Sequence, residues 1–135
     1  MNQFLLFDPM KPKCLTVRQP WADLIAKGIK TIENRTWQTH HRGELYIHAG
    51  SKLHAMPISA IEKTHGLDID RDSLVFGAII ARVNLVDIVS KSSSPYFTGP
   101  FGWVFQDIEA IQPIHCLGTM RLFNLPDDIK LPPSR

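Results

Sequence analysis

The sequence predicts an α+β domain, in which about six strands and two short helices form a compact β-barrel of mixed topology. The strand-like segments do not follow the regular strand-helix alternation of a doubly wound sheet. The helix after the first strand is too short for a nucleotide-binding βαβ unit, and no glycine-rich phosphate loop is present. The longest strand-like stretch is partly apolar on both faces, which indicates a closed or covered sheet.

Length and composition are those of one ordinary globular domain. The chain has 135 residues, of which 44% are hydrophobic and 21% charged, so it can build one core. We assign residues 1–12 to an N-terminal arm, because Asp8-Pro9 and Lys11-Pro12 interrupt any regular pattern there. The domain itself is assigned to residues 13–125 and a C-terminal tail to residues 126–135.

In the first half of the chain, apolar periodicity and helix signals place three strands and one helix. Pro20 starts a helix whose apolar residues recur at i, i+3 and i+4, and Gly28 ends it. The other predicted segments are a strand at 14–17, a strand at 29–35, a polar loop at 36–42 and an alternating strand at 44–49.

The second half of the chain predicts one more helix and three more strands. Pro57 supplies the start of a helix over 59–65, with Ile58 and Ile61 as its core anchors. The other predicted segments are a small-residue loop at 50–52, an acidic loop at 68–72, a long strand at 74–89, a serine-rich loop at 92–95, an aromatic loop at 96–103, a strand at 103–108 and a final strand at 116–124.

The sequence offers no membrane-spanning or export segment. Its longest apolar run is far shorter than the roughly 20 residues that a spanning helix needs. Residues 4–7 are too few for the core of a secretion signal, so a cytoplasmic location is expected. Cys14 and Cys116 lack Cys-x-x-Cys spacing, and in that compartment reduced thiols are favoured over a disulfide.

Positive charge is concentrated in residues 11–52, although the whole chain has a net charge of only +2. That segment has eight Lys or Arg residues and three acidic ones, so the rest of the chain is net negative. It also contains Trp21, Trp37, His40 and His41. Cations interleaved with aromatic side chains are typical of surfaces that contact phosphates and stack bases. The alternative is a solvated basic face with its tryptophans in the core.

Three charged residues, Lys30, Glu33 and Arg35, stand close together in the second predicted strand. In a regular strand Glu33 and Arg35 share a face, whereas Lys30 lies on the opposite one. A bend or bulge near Thr31 would bring the three charges together. They would then form part of a site, or a surface ion pair that contributes about 0–1 kcal/mol to stability.

These charges belong to a series of separated motifs that closely resembles the ASCH domain, a family named after the activating signal cointegrator. The matching residues are Leu15-Thr16-Val17-Arg18-Gln19-Pro20-Trp21-Ala22 with Leu24-Ile25, Gly28-x-Lys30-Thr31-Ile32-Glu33-x-Arg35, Trp37-x-Thr39 with Arg42-Gly43, Ile47-His48-Ala49, Gly102-Trp103-Val104-Phe105, and Gly118 with Leu122-Phe123. The resemblance implies a PUA-like mixed β-barrel, a fold widely associated with RNA binding. It also implies a cleft lined by Gln19, Pro20, Trp21, Lys30, Thr31, Glu33, Arg35 and Arg42, with Trp103 near its mouth.

Binding of RNA or another single-stranded nucleic acid is the first function that the basic segment and the resemblance predict. Contacts are expected from the cations Arg18, Lys30, Arg35, Arg42 and Lys52, from the stacking residues Trp21, Trp37 and Trp103, and from Gln19, Thr31 and Ser51. The run Gly50-Ser51-Lys52 either forms an amide nest for a phosphate ahead of the second helix or is only a turn.

Two other functions stay open. Some bacterial members of the family are ribonucleases, and a shorter, distant branch hydrolyses N4-acetylcytidine with a Lys equivalent to Lys30 and a Thr where this chain has Glu33. A hydrolase acting on RNA or on such a modified nucleoside would use Glu33 as general base and Lys30 to stabilise negative charge. Pairing with Arg35 would instead give Glu33 a structural role.

The aromatic loop at 96–103 is the basis of the remaining hypothesis, a module that contacts a protein partner through an exposed apolar patch. No cofactor is expected. A metal site built from histidines would draw on His40, His41, His48 and His54, and their spacing does not support one.

Overall fold

The structure, a computed structural model, describes residues 11–119 and 121–133. Within these residues it contains six strands and two α-helices, which confirms the predicted fold class. In chain order they are β1 (Lys13–Gln19), α1 (Trp21–Ala26), β2 (Ile32–Arg35), β3 (Gly43–Leu53), α2 (Ile58–His65), β4 (Ala78–Val89), β5 (Phe101–His115) and β6 (Leu122–Asn124), with a 3₁₀ turn at Arg71–Ser73. Residues 1–10 of the predicted N-terminal arm lie outside the described residues.

The strands form one mixed sheet in the order β2-β5-β4-β3-β1-β6. Only the β1–β3 pair is parallel among the described strands, because α1 and β2 intervene between the two in the chain. Strands β2 and β6 are the two edges and do not pair with each other, so the sheet is not closed. The predicted barrel is therefore open along one side.

The sheet nevertheless curls until β2 faces β1. Three strands separate β1 from β2, which in a flat sheet would place them roughly 19 Å apart. Arg35 on β2 donates from Nη2 to the carbonyl oxygen of Thr16 on β1 at 2.6 Å. Bulges promote this curl: residues 107 and 108 of β5 face a single residue of β4, and Asp107 has φ 51°.

Apolar clusters cover both faces of the sheet, as the two-sided apolar pattern of the long strand predicts. One face packs Leu15, Ile47 and Trp103 against Ile25 of α1. The opposite face buries the alternating residues Cys14, Tyr46 and Ile79, and Ile129 and Leu131 of the tail pack on it. Both cysteines are free thiols, in agreement with the prediction.

Element boundaries differ from the predictions where long-range pairing decides them. Residues 50–52 were predicted as a loop but belong to β3, which continues until Leu53 lies opposite Gln19 of β1. Strand β5 runs to His115, seven residues beyond the predicted end, because β4 offers it a partner along its whole length. Strand β6 is limited to residues 122–124, and the described residues 116–119 of the predicted strand instead line a cleft.

Candidate functional site

A cleft with a volume of about 1080 Å³ opens between β1 and the edge strand β2. Its walls also include the end of β3, the end of α2 and the loops that precede β5 and β6. The charged and aromatic lining residues are Arg18, Lys30, Glu33, Arg35, Arg121, Trp21, Trp37, His48, His54, His65 and Tyr96. Cations thus outnumber carboxylates in the described lining.

Lys30, Glu33 and Arg35 form an ion-pair triad on the cleft floor. Lys30 and Glu33 are only 2% and 8% exposed. Lys30 Nζ donates to Glu33 Oε1 at 2.8 Å and to the carbonyl oxygen of Ile32 at 2.5 Å. Arg35 donates to Glu33 Oε2 from Nε at 3.0 Å and from Nη2 at 2.9 Å. Two cations share one carboxylate, so the triad carries one net positive charge.

A bend ahead of β2 brings Lys30 to the same side as Glu33. Strand β2 begins only at Ile32, so strand alternation does not extend back to Lys30. The backbone N–H of Lys30 still bonds to the carbonyl oxygen of Leu24 in α1, while Phe105 on β5 donates to the carbonyl oxygen of Thr31. The expectation that a bend near Thr31 would unite the three charges is confirmed.

Glu33 is held in its ionised form. Burial raises its pKa, but Lys30 and Arg35 together outweigh that effect and bring the pKa below its ordinary value. A carboxylate with a lowered pKa, both of whose oxygens accept hydrogen bonds from cations, is a poor general base. The geometry therefore favours the structural interpretation, in which Glu33 orients Lys30 and Arg35.

The lowered pKa of Glu33 predicts a pH-dependent stability. A carboxyl group whose pKa is lower in the folded state stabilises the fold fully above its unfolded value, here 4.5, and loses that contribution as the pH falls through the folded pKa. Urea unfolding between pH 7 and pH 3 should show stability falling less steeply with acid in Glu33→Gln than in the parent. Identical pH profiles for the two proteins would contradict this prediction.

One wall of the cleft is aromatic and centres on Trp21. The Trp21 ring is half-buried and meets His54, His65 and Tyr96 edge to face, at centroid distances of 5.8, 6.0 and 6.4 Å. His65 and Tyr96 stack on each other at 4.2 Å. Lys30 Nζ lies 5.5 Å from the Trp21 centroid, so the aromatic wall adjoins the ion-pair triad.

Asn34 fixes the loop that carries Tyr96. Its Nδ2 donates to the carbonyl oxygen of Tyr96 at 2.9 Å, and its Oδ1 accepts from the backbone N–H groups of Thr98 and Gly99. The rings of Tyr96 and Phe97 are half-buried rather than exposed. The loop does not form the exposed apolar patch that a protein-contact module requires.

A second polar group, from β1 and β3, lies beside the triad. His48 Nε2 is 2.7 Å from the carbonyl oxygen of Cys116, which can only accept, so this nitrogen carries a proton. In the neutral ring Nδ1 then accepts from the Thr16 hydroxyl at 3.2 Å. A Cβ on Gly118 would collide with that hydroxyl oxygen and with His48 Nδ1, so only glycine fits against this pair.

The structure brings six of the eleven predicted nucleic-acid contacts into the cleft and leaves five outside it. Those that line it are Arg18, Trp21, Lys30, Arg35, Trp37 and Ser51. Those outside the described lining are Gln19, Thr31, Arg42, Lys52 and Trp103.

Three of the residues outside the lining are held there by contacts of their own. Gln19 is buried and bonds to Val75 and Asp23, while Trp103 is fully buried in the core, not at the cleft mouth. Arg42 donates to carbonyl oxygens of its own loop. The remaining two, Thr31 and Lys52, are exposed.

Neither the phosphate nest nor the turn that the sequence left open at residues 50–52 is formed. Gly50 and its two successors are extended in β3, and helix α2 begins only at Ile58. Several cleft residues were not predicted as binding residues, among them His65, Tyr96 and Arg121. They reach the cleft through tertiary packing that no local spacing encodes.

Among residues 11–119 and 121–133, no cluster of three or more His, Cys, Asp or Glu side chains is arranged to hold a metal ion. Within the same ranges, no helix has the length and apolar character to cross a membrane.

Comparisons with known proteins agree on one family. A sequence model described as the ASCH domain matches residues 15–102. Human and mouse activating signal cointegrator 1 are 37% and 36% identical to this chain over 84 residues, which cover 58% of the chain but only 14% of either relative. The crystal structure of ASCH from Zymomonas mobilis matches with a TM-score of 0.54 at 16% identity, covering 87% of this chain and 90% of that one. The crystal structure of a single-residue variant of the bacterial protein matches this chain with a TM-score of 0.52.

Proposed function

Because the chain belongs to the ASCH domain family, we propose that it binds single-stranded nucleic acid, RNA above all, in the cleft between β1 and β2. The PUA-like fold, which is associated with RNA binding in general, supports this proposal. The matched segment is a small part of the cointegrators, so their other properties carry no weight here.

The observation that carries the proposal is the joint presence, in one cleft, of aromatic side chains and of cations that have no carboxylate partner. Trp21 and Trp37 are half-buried and line it, so each retains ring surface on which a base could stack. Arg18 and Arg121 line it too, and neither makes an ion pair with a described residue. The Arg121 guanidinium lies over the Trp37 ring, 5.1 Å from its centroid. Phosphates of a bound strand would satisfy these two guanidinium groups.

Hydrolysis by Lys30 and Glu33 is a weaker proposal. Lys30 Nζ already donates to two oxygens, and the lowered pKa of Glu33 works against proton abstraction. No observed contact favours a modified nucleoside over an ordinary one. We therefore propose binding and advance no reaction.

The double variant Arg18→Ala/Arg121→Ala tests the binding proposal. Labelled single-stranded RNA, titrated at several salt concentrations and followed by fluorescence anisotropy, should bind the variant more weakly than the parent. The slope of log K against log salt should become shallower by about 0.7 for each phosphate contact removed. Both side chains are exposed, so the variant is expected to fold normally.

Lys52→Ala is the matched control. Lys52 is exposed and neighbours the lining residue Ser51, but the alternation of β3 directs it away from the cleft. Its removal should leave affinity and salt slope nearly unchanged. Equal binding by the parent and the double arginine variant would rule out the cleft as the binding surface. Lys30→Ala is a poor probe, because it removes a buried charge from the triad and would alter stability.

A further inference from the structure

The cleft floor, defined as Thr16, Lys30, Glu33 and Arg35, has a spare hydrogen-bond donor in Arg35. A guanidinium group has five N–H donors. Arg35 uses Nε and Nη2 on Glu33 and on the carbonyl oxygen of Thr16. Its Nη1 makes no hydrogen bond to residues 11–119 or 121–133, and no Arg35 nitrogen is among their buried, unpartnered atoms. Nη1 therefore belongs to the 20% of the side chain that remains exposed.

Five acceptor oxygens of the cleft, by contrast, each already accept at least one hydrogen bond. Glu33 Oε1 accepts from Lys30, and Oε2 accepts twice from Arg35. The carbonyl oxygen of Thr16 accepts from Arg35, that of Tyr96 from Asn34 and that of Cys116 from His48. A ligand edge that reaches Arg35 Nη1 therefore meets a donor that has no hydrogen-bond partner among the described residues.

We infer that the cleft floor recognises a carbonyl oxygen of an unpaired base, so that uracil and guanine are bound in preference to adenine. This inference rests on the proposed function, because it assigns a base preference to the same cleft. Uracil offers O2 and O4, and guanine offers O6 beside N7, all of which accept from a guanidinium group. Adenine presents an amino group at the equivalent edge, and that donor would face the donors of Arg35.

The placement of Trp21 fits this mode of recognition. Lys30 Nζ is 5.5 Å from the Trp21 centroid and 2.8 Å from the carboxylate that it shares with Arg35. A base that contacts the Trp21 ring beside Lys30 would thus adjoin the triad. Cytosine, which has O2 but also an amino group, should bind with intermediate affinity.

The test compares single-stranded RNAs of about twelve nucleotides that consist of adenosine except for one central position occupied by U, G, C or A. The RNAs with U or G should bind on the order of tenfold more tightly than the all-adenosine RNA. Equal affinities for all four, or tightest binding of adenosine, would overturn the inference and leave the proposed function standing. Absence of binding to any of them would overturn both.

Arg35→Lys tests whether Arg35 is the group responsible. Lysine can still pair with Glu33 but loses the forked donors, so the ratio of affinities for the U and A oligonucleotides should fall towards one. Lys52→Ala should keep the ratio of the parent. An unchanged ratio in a folded Arg35→Lys protein, with folding checked by circular dichroism, would overturn the assignment to Arg35.

Discussion

Glu33→Gln is expected to lower the free energy of unfolding by about 3–5 kcal/mol, the usual cost of removing one partner from a buried ion pair. The substitution nearly preserves the shape of the side chain. It removes the only carboxylate that hydrogen-bonds Lys30 and Arg35 within the described residues. Lys30 is 2% exposed and cannot recover its solvation by moving into water. The buried ammonium group of Lys30 would then lack its counter-ion. This loss should account for most of the decrease in the free energy of unfolding.

Urea unfolding at pH 7 measures the effect of Glu33→Gln, provided that the m-value stays that of the parent. Glu44→Gln is the matched control, because Glu44 is an exposed carboxylate on β3, and it should change stability by no more than about 0.5 kcal/mol. Adding Lys30→Met to Glu33→Gln should recover part of the loss, since the uncompensated charge is then gone. A cost for Glu33→Gln close to that of Glu44→Gln would show that the triad contributes little to stability.

Local signals in the sequence predicted the elements well. Pro20 and the apolar spacing of Trp21, Leu24 and Ile25 predicted α1, and its residues pack as that spacing requires. The alternation of Leu45 and Ile47 likewise predicted the buried face of β3. These features depend on periodicity within a few residues, which a single sequence displays directly.

Features that depend on distant partners could not be predicted in the same way. The length of β3 is set by its pairing with β1, so the small residues at 50–52, which resemble a turn, are extended. The position of Lys30 depends on the bend between α1 and β2. The stacking of His65 on Tyr96 joins residues far apart in the chain, and no spacing indicates it.

The position of Trp103 also depends on distant partners and could not be predicted from local sequence. The resemblance to the ASCH domain implied a place for Trp103 near the mouth of the cleft. Its pairing opposite Glu33 on β2 and Ile88 on β4 instead sets it in the middle of three strands, and it is 0% exposed. Its Nε1 donates to the carbonyl oxygen of Trp37, and the two rings meet edge to face at 4.9 Å.

Trp103→Ala is therefore expected to lower the free energy of unfolding by about 3–5 kcal/mol, through lost apolar contacts and the cavity left behind. Because that loss could unfold the protein outright, Trp103→Phe provides the companion measurement. Phenylalanine keeps a ring in the core but removes the bond to Trp37, so a smaller loss, which includes about 1 kcal/mol for the hydrogen bond, is expected.

The Trp103→Phe protein also separates a core role from a ligand role. A tryptophan that packs only in the core does not contact RNA. The folded fraction of the Trp103→Phe protein should therefore bind RNA with the affinity of the parent. Trp21→Phe is the comparison, because Trp21 lines the cleft and its smaller replacement offers a base less stacking surface. If Trp103→Phe weakened binding in the folded state as much as Trp21→Phe, the core assignment of Trp103 would be wrong and the ligand would have to reach deeper than the described cleft.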